Sequence, residues 1–161
     1  HYAATAVAQI SKESDLKLQQ LERAFKTDPS AQNLNEYCDF LGEYLGSGLA
    51  EGRVAQIQRQ QYARLLARRC EREDTLELRI RYATALADVG QIDEAQAVTD
   101  QLVLDVPEEQ EVWMLCLRLA VMRRDGDEVH RVIDAIDKQH VYLSAANREE
   151  LAFWRNGEEA R

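Results

Sequence analysis

The sequence predicts an all-α protein built from repeated helix pairs, and three observations support this prediction. Leu, Ala, Glu, Arg and Gln dominate the chain, and all of them are good helix formers. Only seven Gly and two Pro are present, which leaves little room for a turn-rich β-protein. A short phrase of a glycine, acids and a small apolar residue occurs at 90–95, 126–129 and 157–160. The 161 residues, 45% apolar and 30% charged, suit one globular domain.

Apolar residues at helical spacing predict eight helices. In the first of them Leu18, Leu21 and Phe25 follow this spacing, and Pro29 prevents its continuation. Asp74 is the expected N-cap of the fourth helix, because Glu77 lies three residues further on. The expected helix ranges are 3–26, 32–46, 53–70, 74–89, 92–104, 109–123, 127–138 and 144–155.

The fourth and fifth helices repeat as the sixth and seventh. The segments 93–95 and 127–129 align, and the same shift carries Val98 to Val132 and Leu102 to Ile136. A helix pair with a fixed period is typical of a solenoid, in which neighbouring pairs stack to bury their apolar faces. The repeated phrase is therefore expected to mark the turn within each pair. Gly126 is expected to replace Gly90 as the turn glycine, and Gly157 is expected to end the eighth helix.

This helix pair resembles the tetratricopeptide repeat, whose period is about 34 residues. Segment 76–109 matches the motif of that family at Tyr82-Ala83, Leu86, Gly90, Ala95 and Pro107. Segment 110–143 matches it more loosely at Trp113, Cys116, Ala120 and Val129. The resemblance implies a right-handed solenoid of about three helix pairs with a flanking helix at each end. Within this single domain we expect an N-terminal helix in 1–29, a degenerate repeat in 30–73, repeats in 74–109 and 110–143, and a partial repeat in 144–161.

The resemblance also implies a partner-binding groove, because in this family the first helix of each pair lines a concave face that receives a peptide or a helix. By position, the groove residues are Glu36, Asp39, Glu43, Glu77, Ile80, Thr84, Asp88, Glu111, Met114, Arg118, Val121 and Met122. Alternatively, Met114 and Met122 pack under the eighth helix. The carboxylate clamp of chaperone-binding members is not expected, because its positions on the second helix are acidic here.

The third helix is the second candidate surface. It carries Arg53, Arg59, Arg64, Arg68 and Arg69 and no acid, which leaves 15 basic and 29 acidic residues elsewhere. A basic amphipathic helix is suited to an acidic partner or to anionic lipid headgroups. Its expected buried face comprises Val54, Ile57, Leu65, Leu66 and Cys70. Alternatively, the arginines pair with neighbouring acids such as Glu43, Glu51 or Glu73.

No catalytic signature is present. The sequence lacks a phosphate-binding loop, a His-Glu-x-x-His motif, a Gly-x-Ser-x-Gly motif and a Cys-x-x-Cys pair. Cys38, Cys70 and Cys116 lie far apart and are expected to be buried free thiols. The histidines, His1, His130 and His140, are on different elements. The acid pairs 149–150 and 158–159 are expected to be solvated. We therefore expect no enzyme activity, catalytic residue, cofactor, metal or small-molecule substrate.

The function expected from these features is a protein–protein interaction scaffold. The net charge of −9 argues against nucleic-acid binding. A helical array of this kind resembles assembly components of bacterial membrane-associated complexes, such as those for exopolysaccharide secretion. Two alternatives remain, a self-associating structural protein and a regulatory or nucleic-acid-binding module that uses the helix 53–70.

No stretch approaches the ~20 apolar residues of a membrane-spanning helix. The sequence opens with His1 and enters a helical pattern at once, so we expect a piece of a longer protein. The expected location is cytoplasmic, with a tether to the inner membrane through a preceding segment.

Overall fold

The computed structural model describes the backbone of residues 2–159 and the side chains of residues 2–157. The described residues form eight α-helices and no strand, which confirms the predicted all-α class. The helices are α1 Tyr2–Thr27, α2 Ala31–Gly46, α3 Gly52–Arg72, α4 Leu76–Asp88, α5 Ile92–Asp105, α6 Gln110–Met122, α7 Gly126–Lys138 and α8 Ala145–Glu159.

Polar side chains cap the starts of α2, α4 and α7. Ser30, Thr75 and Asp125 each accept a hydrogen bond from a backbone N–H in the first turn of their helix. The prediction of Asp74 as the cap of α4 was wrong by one residue. The hydroxyl of Thr75 accepts from the N–H of Leu78 at 3.3 Å, and Thr75 has the extended backbone that an N-cap requires.

The chain divides into two compact units between Asp74 and Thr75. In the first unit, α2 packs against both α1 and α3. Gly42 on α2 lies against Tyr62 on α3, and a Cβ at this position would be 2.7 Å from the tyrosine hydroxyl oxygen. Glycine therefore permits the close approach of the two helices. The fully buried large side chains of this unit are Leu34, Cys38, Leu41, Leu65 and Leu66.

Only the second half of α1 contributes to this core. Leu18 and Phe25 are buried, whereas Val7, Ile10 and Leu16 are at least half exposed. The apolar spacing of α1 thus predicts its helical state, but it does not distinguish its covered half from its open half.

The second unit contains α4 to α8, in which each helix packs against the next and α4 also contacts α6. One apolar cluster joins α4, α5 and α6, with Leu86, Leu102 and Val112 among its members. A second cluster joins α6, α7 and α8, and it includes Leu117 and Ile133. Because α6 belongs to both clusters, the core of this unit is continuous.

One constant shift along the chain relates α4–α5 to α6–α7. The helix starts at 76 and 92 recur at 110 and 126, and we call this shift the repeat register. The side chains buried at equivalent positions are Leu78 and Val112, Ala83 and Leu117, Ala85 and Leu119, Leu86 and Ala120, Ala95 and Val129, Thr99 and Ile133, and Leu102 and Ile136.

The turns within these pairs also follow the repeat register. Gly90 has φ 77° and Arg124, the equivalent residue, has φ 55°. Both turns are closed by a backbone bond that spans five residues, from Gln91 to Leu86 and from Asp125 to Ala120. The prediction that Gly126 becomes the turn glycine was therefore wrong, because Gly126 is the first residue of α7.

The third occurrence of the phrase does not mark a turn. Gly157 lies inside α8, which continues to Glu159, so the prediction that it ends this helix was wrong. The side chains of Glu158 and Glu159 lie outside the described residues, as do His1 and Ala160.

Candidate interaction surfaces

Arg69 is not part of an accessible basic face. Its side chain is 9% exposed, and its guanidinium donates to Asp39 at 2.6 Å. Glu73 lies 4.0 Å from the same group. Arg69 is therefore held inside the first unit between α2 and the end of α3, and its inclusion among the partner-binding residues is corrected.

The other four arginines of the predicted basic face remain at least partly accessible. Arg68 lies over the ring of Phe25, with its Cζ 5.4 Å from the ring centroid. Arg53, Arg59 and Arg64 form no ion pair with any residue whose side chain is described. The expected pairing with Glu43 and Glu51 is thus absent from the described residues, whereas Glu73 lies near Arg69 and also accepts a hydrogen bond from Asn35.

The buried face of α3 differs from the predicted one. Leu65 and Leu66 are buried as expected, and Cys70 is half-buried. Val54 and Ile57 were expected to be buried, but they are 64% and 59% exposed. In their place Ala55 and Ala63 pack inside, so α3 contributes small residues to the core ahead of Leu65 and leaves two aliphatic side chains at the surface.

The second candidate surface, the first-helix face, lies on α4 and α6. It consists of Glu77, Ile80, Thr84 and Asp88 on α4 and of Glu111, Met114, Arg118, Val121 and Met122 on α6. All of these side chains are exposed or half-buried, and the four on α4 align with 111, 114, 118 and 122 on α6 in the repeat register.

An ion pair links the two helices on this face. Arg118 donates to Asp88 at 2.6 Å, and both side chains are about two-fifths exposed. Met114 packs partly against the cluster that contains Leu151 of α8, whereas Met122 packs against the α4–α6 cluster. Met122 therefore does not belong to the cluster that α8 joins, whereas Met114 packs against that cluster. The face combines carboxylates at the start of each helix with adaptable apolar side chains further along it.

The acidic positions carried over to α2 lie in the first unit, and all of them are exposed. Asp39 is bound to Arg69, and Glu36 accepts from Gln32 at 3.1 Å. Two of the three predicted groove residues of α2 therefore have contacts within that unit.

The equivalent positions on α8 are not among the predicted groove residues. The repeat register carries Met114 to Arg148 and Arg118 to Ala152, and both of these side chains are exposed. The start of α8 is held against α6, because the side-chain oxygen of Gln110 accepts from the backbone N–H of Ser144 at 2.8 Å. Applying the repeat register once more, from α6 to α8, would have identified Arg148 from the sequence.

The three cysteines are free thiols. Cys38 and Cys116 are buried, and Cys70 is half-buried. Burial raises the pKa of the Cys116 thiol to about 12, so this thiol is protonated at neutral pH. Among residues 2–157, no group of three or more His, Cys, Asp or Glu side chains is arranged to hold a metal ion.

Comparison with known protein families, with curated proteins and with solved structures finds no match to this chain. None of the helices within the described range combines the length and the apolar character that a membrane crossing requires.

Proposed function

We propose that this chain is a tetratricopeptide-like helical repeat that acts as a protein–protein interaction scaffold, with the first-helix face as its partner-binding surface. The observation that carries the proposal is the repeat register of the second unit. Within each repeat the same positions are buried, and the same positions on the first helix stay accessible. A stacked repeat with a recurring accessible face is typical of binding solenoids.

The chemistry of this face favours a helical or extended peptide segment as the ligand. Ile80 and Met114 occupy equivalent places and are half-buried, so they offer apolar contact at the surface. Glu77 and Glu111 are exposed at the start of their helices and have no ion-pair partner among the described side chains. A partner segment with basic residues flanking an apolar centre would complement this arrangement.

The proposal is tested by affinity capture from the organism that encodes the protein. The baits are the full chain, the double variant Glu77→Arg/Glu111→Arg, and a control with the same change of charge, Glu108→Arg/Asp134→Arg. The control residues are exposed and lie outside the first-helix face. The captured partner is then divided into synthetic peptides, and the dissociation constant of the binding peptide is measured for each bait.

We expect the unchanged chain and the control to capture the same partner, and the double variant to bind its peptide at least about tenfold more weakly. Equal affinity for all three baits would show that the first-helix face is not the partner-binding surface. Failure of the unchanged chain to capture any specific partner would contradict the scaffold function itself.

A further inference from the structure

The α3 arginine stripe, which we define as Arg53 and Arg64 together with Val54 and Ile57, has a composition that its own unit does not explain. Elsewhere many arginines are paired, as Arg79 is with Asp105 and Arg123 is with Asp93, each at 2.7 Å. The stripe arginines have no such partner among the described side chains, although the chain carries 29 acids.

Helical spacing places the charged and apolar side chains of the stripe on one surface. Arg53, Ile57 and Arg64 are four and seven residues apart, so they follow one side of the helix. Val54 and Ile57 are more than half exposed between these arginines. Arginines around exposed aliphatic side chains are characteristic of protein interfaces, where Arg is enriched.

The surroundings of the stripe discriminate between classes of partner. Val54 also lines a surface depression of about 410 Å³, whose wall includes Asp15 and Glu22 of α1 and Glu51 before α3. A bilayer or a nucleic-acid backbone presents uniform negative charge, which these carboxylates would repel. A peptide segment, in contrast, can place its acidic residues opposite the arginines and away from these carboxylates.

We propose that the α3 arginine stripe is a docking surface for an acidic amphipathic segment of a partner protein. The carboxylates of this segment pair with Arg53 and Arg64, and its aliphatic side chains cover Val54 and Ile57. Arginine suits this task because its planar guanidinium binds a carboxylate through two hydrogen bonds. The surface belongs to α3 and is separate from the first-helix face, so the protein would bind two different segments.

The experiment is a selection of peptides from a random library displayed on phage, with the full chain as the immobilised target. We expect enriched peptides that carry Asp or Glu together with Leu, Ile or Val at helical spacing. A synthetic peptide of the enriched sequence is then titrated by fluorescence anisotropy at increasing salt. The salt series reports the charged contacts, because screening weakens them.

Four variants of the chain locate the binding surface. Arg53→Glu/Arg64→Glu, and the same two positions changed to Gln, are expected to weaken binding by at least about tenfold. Ile57→Ser is expected to weaken it several-fold, which a purely electrostatic contact would not show. The control Arg124→Glu/Arg148→Glu has the same change of net charge as the Glu variant at other exposed positions, and it is expected to retain binding.

Several results would overturn the proposal. These are enrichment of no peptide or of peptides without acidic residues, unchanged affinity of both stripe double variants, and equal loss in the control. Stripe-dependent binding of phosphatidylcholine–phosphatidylserine vesicles or of a DNA oligonucleotide, with no peptide binding, would assign the stripe to a different partner. Circular dichroism verifies that each variant is folded. Glu77→Arg/Glu111→Arg is expected to bind the acidic peptide normally, which separates this test from that of the first-helix face.

Discussion

The two compact units stabilise their helix pairs in different ways. In the second unit the buried positions recur in the repeat register and are almost all apolar, with Thr99 as the polar exception. In the first unit a guanidinium, that of Arg69, is buried, and the hydroxyl of Tyr44 donates to Asp15 at 2.7 Å. The first unit also leaves aliphatic and arginine side chains exposed on α3.

This difference indicates that apolar register determines the geometry of the second unit, whereas individual polar contacts determine much of the geometry of the first. Substitutions should therefore act through cavities in one unit and through unpaired polar groups in the other. Fluorescence can follow the second unit separately, because both tryptophans, Trp113 and Trp154, belong to it.

The largest effect is expected from Leu117→Ala in the second unit. Leu117 is fully buried in the α6–α8 cluster, so its truncation leaves a cavity and should lower the free energy of unfolding by about 2–5 kcal/mol. Urea denaturation followed by tryptophan fluorescence measures this change. Leu104→Ala, at a position 76% exposed, is the matched control and should change it by about 0.5 kcal/mol or less. Similar losses in both variants would contradict the assignment of Leu117 to the core.

Next in size is Arg69→Ala in the first unit, with an expected loss of about 2 kcal/mol. The variant removes the partner of Asp39, but the carboxylate of Asp39 is 52% exposed and regains water, which limits the cost. Arg69→Met, which keeps most of the side-chain volume, should cost less. Arg64→Ala on the same helix should have little effect, since Arg64 has no ion pair within the described residues. Chemical denaturation followed by circular dichroism measures the free energy of unfolding of each variant. A loss for Arg64→Ala as large as that for Arg69→Ala would contradict this account.

A smaller effect is expected at alkaline pH. The hydrogen bond to Asp15, together with burial, raises the pKa of Tyr44 from 10.0 to about 12. The folded state therefore holds this proton more tightly than the unfolded state. The resulting stability is fully present below pH 10 and is lost as the pH rises towards 12.

We expect Tyr44→Phe to remove this contribution, on the order of 1–2 kcal/mol, so that the variant depends less on pH in this range. Denaturation curves at pH values from neutral to strongly alkaline measure the difference. Tyr142→Phe is the control, since Tyr142 is 81% exposed. An identical alkaline slope for unchanged chain and Tyr44→Phe would show that the bond to Asp15 does not stabilise the fold.

The smallest effects are expected at the two equivalent turns of the second unit, and they should have opposite signs. Gly90→Ala places a side chain at φ 77° and should destabilise by about 1 kcal/mol. Arg124→Gly relieves the strain of a side chain at φ 55° and should stabilise by up to about 1 kcal/mol. Thermal unfolding of both variants tests the pair. A destabilising Arg124→Gly would mean that contacts of the Arg124 side chain outweigh its backbone strain.

Much of the fold could be predicted from the sequence because its signals are local. The helices match their predicted ranges closely, since apolar spacing, Pro29 and the capping residues act within one or two turns. The repeat register is likewise visible in the chain, and the structure follows it in helix starts and buried positions. The tetratricopeptide-like solenoid and the identity of the partner stay predictions.

The tertiary structure alone decided which face of each helix is covered. The pattern of α3 favoured burial of Val54 and Ile57, but the neighbouring helices cover Arg69 instead and leave both aliphatic side chains exposed. Similarly, the turn at 124 adopts the glycine conformation with an arginine, because the packing of α6 and α7 requires the same reversal as that of α4 and α5. Burial and backbone strain depend on contacts between elements far apart in the sequence. The apolar periodicity of the sequence therefore determines where the helices form, whereas the packing of the helices determines which residues a partner can contact.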